Sequence, residues 1–190
     1  MTPTHSAIVL AGGRGSRLGG VDKATVVVAG QTLLERSLTA VNSARETVFV
    51  GHSPVPEPIR RTLEDPPDGG PVAGIIAGFQ TLDTEAEWIL VLAVDQPAAD
   101  QVIPNILTAM SNAPDEVDVI CTFDEDDFPQ WLLAAYRRNA IEQAANAHAP
   151  GHGVSMKRFT ADMNFHRIES TFAGDIDTWD DHKNWELRLS

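Results

Sequence analysis

The sequence predicts a single α/β domain, a Rossmann-like three-layer α/β/α sandwich around a mostly parallel sheet. Three observations carry this expectation. Short continuous apolar runs, SAIVLA at 6–11, TVFV at 47–50 and WILVLAV at 88–94, read as strands buried on both faces. Segments with helical spacing fall between them. Strand and helix alternate through about residue 122, the pattern of a parallel sheet covered by helices on both faces.

The elements follow in order. The first strand, 6–11, is stopped by Gly12-Gly13. Residues 25–29 (TVVVA) are β-branched and run into Gly30, predicting a short strand and turn. Residues 32–41 place Leu33, Leu34, Leu38 and Val41 on one helical face. After the strand at 47–50 comes a proline-broken connection, then a loop at 65–70 (DPPDGG), and Pro71 opens a helix to about Leu82. The strand at 88–94 ends in Asp95-Gln96-Pro97, and 104–111 lies within a helix. Residues 117–122 (VDVICT) form a further strand, 124–127 (DEDD) a solvated acidic loop, and 131–136 (WLLAAY) a strand or short apolar segment. Helices are expected at 137–148 and 154–159, a strand near 166–168, and Thr178 as the cap of a final helix.

Composition narrows the functions. The chain has 190 residues, one domain's worth, and enough to bury a core. A formal net charge of -13 argues against nucleic-acid binding, which wants a basic face. It leaves single nucleotides open, because a small anion answers to local groups. No apolar run approaches the roughly 18–20 residues of a membrane span, and the start lacks the marks of a secretory signal. One cysteine, Cys121, excludes a disulfide framework and a cysteine-based zinc cluster. The expectation is a reduced, cytoplasmic protein.

Charge is locally inverted at 10–23, LAGGRGSRLGGVDK, where Arg14, Arg17 and Lys23 face one acid, Asp22. The phosphate-binding P-loop fails here: the sixth position from Gly13 is Leu18, and Val21 stands where the lysine after Gly20 belongs. The dinucleotide fingerprint fails too, since Leu18 fills the third glycine site after Gly13 and Gly15. The loop instead resembles the LAGG…R-L-G…D-K signature of the nucleotidyltransferase superfamily, the nucleotide-diphospho-sugar transferase-like fold. Its ending, GGVDK, most resembles the molybdenum cofactor guanylyltransferases. Further segments agree in order: Leu63-Glu64-Asp65 before Gly70-Pro71-Val72-Ala73-Gly74, Leu92 to Pro97, and Asp175-Ile176-Asp177-Thr178. The chain departs from that family at Gly51, often Asn, at Phe128-Pro129, often His-Pro, at Gly151-His152-Gly153, often a basic pair, and at Trp179, often Pro.

The resemblance implies a magnesium-dependent transfer of GMP from GTP to molybdopterin or molybdenum cofactor, with release of pyrophosphate. It implies a nucleotide-binding half over about 1–100 and an acceptor-binding half over about 101–190. Leu10, Ala11, Gly12, Gly13, Lys23, Asp65, Gly70 and Asp95 would bind the nucleotide, and Arg17, Lys23 and Asp95 would serve catalysis. Asp95 would hold magnesium with Asp177 or Asp175. Transient contact with cofactor-assembly proteins also follows. The residues suit that chemistry. Glycines let backbone N–H groups approach phosphate oxygens. Arg17 can fork two of them, and Lys23 approaches as a point charge. The attacking phosphate is already an anion, so no nucleophile triad is required, and catalysis rests on placement and charge stabilisation. Plainer roles compete: turn building for Asp95 and Asp65, helix capping for Asp177. Two other functions stay open: a cytidylyltransferase or activator of another phosphorylated metabolite, and a non-catalytic nucleotide-binding partner of cofactor assembly.

Overall fold

The computed structural model describes residues 3–12 and 19–190. In chain order the strands are β1 (His5–Leu10), β2 (Val27–Val28), β3 (Gln31–Thr32), β4 (Thr47–Val50), β5 (Arg60–Thr62), β6 (Trp88–Ala93), β7 (Val119–Phe123), β8 (Pro129–Arg137) and β9 (Phe165–Glu169). The helices are α1 (Leu33–Ala40), α2 (Pro71–Thr81), α3 (Ala99–Asn112), α4 (Arg138–His148), α5 (Met156–Phe159) and α6 (Trp179–Leu189). Seven strands form one sheet in the order β5-β4-β1-β6-β8-β7-β9. Their pairings are parallel except at β8, which runs against both β6 and β7. The mostly parallel α/β sheet expected from the sequence is the fold observed.

Strand periodicity divides the core. On one face Ile8 and Leu10 of β1 meet Val72, Ile75 and Ile76 of α2, with Ile141 of α4 and Phe159 of α5 in the same cluster. On the other, Ala7 and Val9 join Ala40 of α1 and Val102, Ile103 and Ile106 of α3. Successive side chains of one strand therefore feed opposite layers, which is why β1 and β6 are buried along their whole length. A third cluster lies beside the sheet, where Val26, Val28 and Leu33 pack with Val94, Ile176 and Trp185 of α6.

Three elements differ from the sequence expectation. Residues 25–29 are not one strand. The Asp22 side chain accepts from Ala24 N–H and winds Lys23–Thr25 into a 3₁₀ turn. Only Val27–Val28 then extends, pairing with Gln31–Thr32 across a turn whose residues Ala29 and Gly30 have φ of 47° and 81°. The proline-broken connection ends in β5, which is short and charged, without an apolar signal, and owes its form to pairing with β4. The segment read as 131–136 is a nine-residue strand, and its reversed direction is a matter of pairing that periodicity does not encode.

The topology points to one place. From β1 the chain builds outward to β4 and β5, then returns to β6 on β1's other side. Ligands in open α/β sheets bind beyond the carboxyl ends of strands where the order reverses. Here that crevice opens after Leu10 and Ala93, which are register partners in the β1–β6 pair.

Candidate active site

The ends of β1, β4 and β6 are tied beyond the strands themselves. Ala11 N–H donates to Val50 O at 2.8 Å, and Val94 N–H donates to Leu10 O at 2.8 Å. Asp95 follows at once. Its backbone oxygen accepts from Ile176 N–H at 3.0 Å, which draws a distant segment to the same point. Ile176 is fully buried. Asp175 and Asp177, on either side of it, bring carboxylates beside Asp95: one oxygen from each of the three lies within 4.8 Å of the others.

Lys23 sits in this group. Its Nζ donates to Asp95 Oδ2 at 2.7 Å and to Asp177 Oδ1 at 2.8 Å. The 3₁₀ turn that aims it is held by Asp22, whose Oδ2 accepts from Ser53 Oγ at 2.6 Å. Asp22 thus orients the turn that carries Lys23. Burial pulls the Lys23 pKa down, but the Asp95 and Asp177 carboxylates outweigh burial and hold it above its ordinary value. Asp175 keeps an exposed face, yet burial of its carboxyl, then the charges of Asp95 and Asp177, push its pKa up, with Lys23 opposing. Lys23 bonds two of the three carboxylates, those of Asp95 and Asp177.

Lys23, Asp95 and Asp175 line a cavity of about 520 Å³. Toward β4 its wall comprises Leu10, Gly12, Val50, Glu64, Asp68 and the start of α2, at Gly70, Pro71 and Gly74. Gly70 has a φ of 87°, a left-handed conformation natural to glycine, and no side chain among the described residues caps this helix. An uncapped N-terminal turn favours an anion. Toward β8 the wall is Gln96, Gln130, Trp131, Leu132 and Met156. Among the described lining residues Lys23 is the one basic side chain, against Glu64, Asp68, Asp95 and Asp175.

Of the residues singled out by sequence, Leu10, Gly12, Lys23, Gly70, Asp95 and Asp175 line the cavity, and Asp177 joins through Lys23. Ala11 lies behind the wall, its N–H committed to Val50. Asp65 is exposed, at the rim between Glu64 and Asp68, which line the cavity while it does not. Gly13 and Arg17 lie outside the described residues. Gly51 is buried, and a Cβ there would come within 2.9 Å of Ala11 Cβ and of the Phe49 ring. A base-contacting side chain has no room at that position. Arg158 lines a separate pocket of about 270 Å³ with His148, between α4 and α5. It does not replace the basic pair that the loop at Gly151-His152-Gly153 lacks. Glu64, Asp68, Gln96 and Gln130 were not singled out as site residues; the signals for Glu64 and Gln96 were their places beside Asp65 and Asp95 in the matching segments. No helix among the described residues is long and apolar enough to cross a membrane.

A family model for the MobA-like NTP transferase domain matches residues 7–165. The chain belongs to this family. It is a nucleotidyltransferase. Among curated relatives, a probable molybdenum cofactor guanylyltransferase of Methanosarcina acetivorans is 32% identical over 154 residues, covering 74% of this chain and 67% of its own. A molybdenum cofactor guanylyltransferase of Pseudomonas putida is 30% identical over 155 residues, covering 78% of each chain. The solved structure of molybdopterin-guanine dinucleotide biosynthesis protein A from Archaeoglobus fulgidus shares the fold, with a TM-score of 0.70 over 96% of this chain and 97% of that one, at 20% identity. In this nucleotidyltransferase the family's matched segment contains Lys23 and Asp95, whereas Asp175 and Asp177 lie beyond it and reach the site by folding.

Proposed function

We propose that this nucleotidyltransferase transfers GMP from GTP to molybdopterin or molybdenum cofactor, with magnesium, releasing pyrophosphate. The observation that carries the reading is Lys23 held between Asp95 and Asp177 at the switch point of the sheet. The names of the curated relatives support guanine and the molybdenum cofactor as the substrates.

The chemistry is an in-line exchange at phosphorus. A phosphate oxygen of the acceptor attacks the α-phosphorus of GTP. A new P–O bond forms, the bond from that phosphorus to the bridging oxygen of the β-phosphate breaks, and the electron pair departs with pyrophosphate. The attacking oxygen is already an anion and needs no base. The wall toward β4 takes the nucleotide, with Leu10, Gly12 and Gly70 at the phosphates and Asp65 at the rim. The wall toward β8 takes the acceptor. Lys23 offsets charge on the departing pyrophosphate, and we assign Arg17 the same duty and Gly13 a part in binding the nucleotide.

Three carboxylates with oxygens mutually within 4.8 Å suit a hard cation that prefers oxygen ligands. Asp95 and Asp177, or Asp175 in its place, would hold magnesium. When bound, the metal neutralises phosphate charge and polarises the phosphorus–oxygen bonds. Transient docking with cofactor-assembly proteins belongs to the same reading.

The test is to incubate the protein with each nucleoside triphosphate, magnesium and molybdopterin, and to follow pyrophosphate. GTP is expected to be consumed in preference. Preference for CTP supports the second reading, a cytidylyltransferase, which the closed space at Gly51 favours. Nucleotide binding without pyrophosphate release from any triphosphate makes the protein a non-catalytic partner.

A further inference from the structure

The wall toward β8 contains a polar chain with a fixed direction. It begins at Asp124, on the turn between β7 and β8. Asp124 Oδ1 accepts from Asp126 N–H at 3.0 Å and Phe128 N–H at 2.9 Å, which locks the carboxylate in place. Its Oδ2 accepts from Gln130 Nε2 at 2.7 Å. An ionised carboxylate only accepts, so the Gln130 amide must turn its NH₂ toward Asp124 and its oxygen away. That oxygen meets Gln96 Nε2 at 3.3 Å. Reversing either amide would set oxygen against oxygen or NH₂ against NH₂. Asp124 therefore orients Gln130, Gln130 orients Gln96, and the chain ends on Gln96 Oε1.

Among the described residues that last oxygen has no partner. Gln96 is 3% exposed, and its Oε1 is buried without a hydrogen bond. Leaving a buried acceptor unsatisfied is costly, and native proteins seldom do so without reason. Gln96 and Gln130 both line the cavity, beside Trp131, Leu132 and Met156. The oxygen meets a ligand at the cavity wall through a shift of the whole side chain that keeps Nε2 on Gln130 Oε1, since turning the terminal torsion alone would break that bond. An acceptor seeking an N–H, in a wall that also holds an indole, a leucine and a methionine, suits the edge of a flat heterocycle that carries ring N–H or amino donors. It lies across Asp95 from Gly12 and Gly70, on the β6–β8 side of the sheet, which is the side opposite the proposed nucleotide wall.

We infer that Gln96 is a specificity-determining residue for the acceptor, its Oε1 accepting a hydrogen bond from the acceptor's heterocycle, with Gln130 and Asp124 as the positioning residues that set its polarity. This rests on the proposed transfer to molybdopterin. It assigns a role to the acidic turn that sequence treated as merely solvated.

The test compares Gln96→Leu with the wild-type chain in three measurements. The KM for molybdopterin is expected to rise about tenfold, the worth of one hydrogen bond in a buried site, with the KM for GTP unchanged. The thermal midpoint of the free protein is expected to stay within a few degrees, roughly one kcal/mol's worth, because the orphaned Gln96 Oε1 goes while the part-buried Gln130 Oε1 loses its donor. Wild-type protein is expected to bind pterin more tightly than lumazine, in which a carbonyl replaces the 2-amino group, as followed by pterin fluorescence. Asp124→Asn is expected to reduce that preference by releasing Gln130. An unchanged molybdopterin KM in Gln96→Leu overturns the inference and leaves the proposed reaction standing. A midpoint lowered beyond that range with both KM values raised assigns Gln96 a structural role and also overturns it. A wild-type chain that uses GTP but not molybdopterin removes the proposed acceptor, and the inference with it.

Discussion

Asp95 stands between two unlike walls. Toward β4 the cavity combines the ends of parallel strands, Gly12 and the start of α2, which no described side chain caps, with two carboxylates, Glu64 and Asp68. Toward β8 it is made of side chains, with two glutamines, a tryptophan, a leucine and a methionine around a strand that runs against its neighbours. Backbone N–H groups and a helix terminus recognise phosphate, a group common to every nucleoside triphosphate. Side chains recognise edges and shapes, and they can change without disturbing the sheet. The difference teaches where selectivity resides. The wall toward β4 supplies the general part of the reaction, and the wall toward β8 is where one acceptor is told from another.

The largest expected effect comes from the residue both walls share. Asp95→Asn should lower pyrophosphate release by about 10²–10³-fold, the usual cost of one charged group that stabilises a transition state. Circular dichroism should show the fold retained. Activity within a few-fold of wild type would mean that the walls do not converge on Asp95. Lys23→Met comes next. It should lower kcat/KM for GTP by roughly 10²-fold. It should also tighten binding of Mn²⁺ in the absence of nucleotide, read by electron paramagnetic resonance, because the ammonium now lying 2.7 Å and 2.8 Å from two carboxylates is removed. Equal Mn²⁺ affinity in both proteins would show that the lysine does not compete for those oxygens.

Gly51→Asn probes the wall toward β4 alone. A Cβ at 2.9 Å from Ala11 and Phe49 forces both to shift. Such overpacking costs about 1–3 kcal/mol, and in a domain of this size each kcal/mol lowers the melting temperature by roughly 2–4 °C. The ratio of GTP to CTP use should not move. A gain in guanine preference at unchanged stability would contradict the packing.

The smallest effect serves as a control far from both walls. Glu46 is partly buried, which raises its pKa. The N–H groups of Thr84 and Asp83 and the Arg60 guanidinium outweigh burial and hold it below the ordinary value of 4.5. A depressed carboxylate contributes stability that is present above its unfolded pKa and lost as pH falls through the folded one. Wild-type protein should therefore lose more of its melting temperature below about pH 4.5 than Glu46→Gln does, with transferase activity at neutral pH alike in both. A change in activity would tie this distant ion pair to the site.

The sequence by itself determined the layers and the centre of the site. Apolar runs such as 47–50 and 88–94 announce strands, because burial on both faces leaves no place for a polar residue. The caps of α1 and α6, Thr32 and Thr178, bond residues three positions ahead, and such local chemistry is written in adjacent letters. Lys23 and Asp95 were legible for the same reason, each standing in a short stretch of distinctive residues. Only the tertiary structure decided that β8 runs backwards, that charged Arg60–Thr62 is a strand, and that Glu64 and Asp68 line the cavity while Asp65 stays at its rim. It also decided the wall toward β8. Lys23 meets Asp95 across 72 residues of chain and Asp177 across 154, and Gln96 meets Gln130 across 34. Contacts at such separations follow from strand order and loop closure, and no run of neighbouring residues records them.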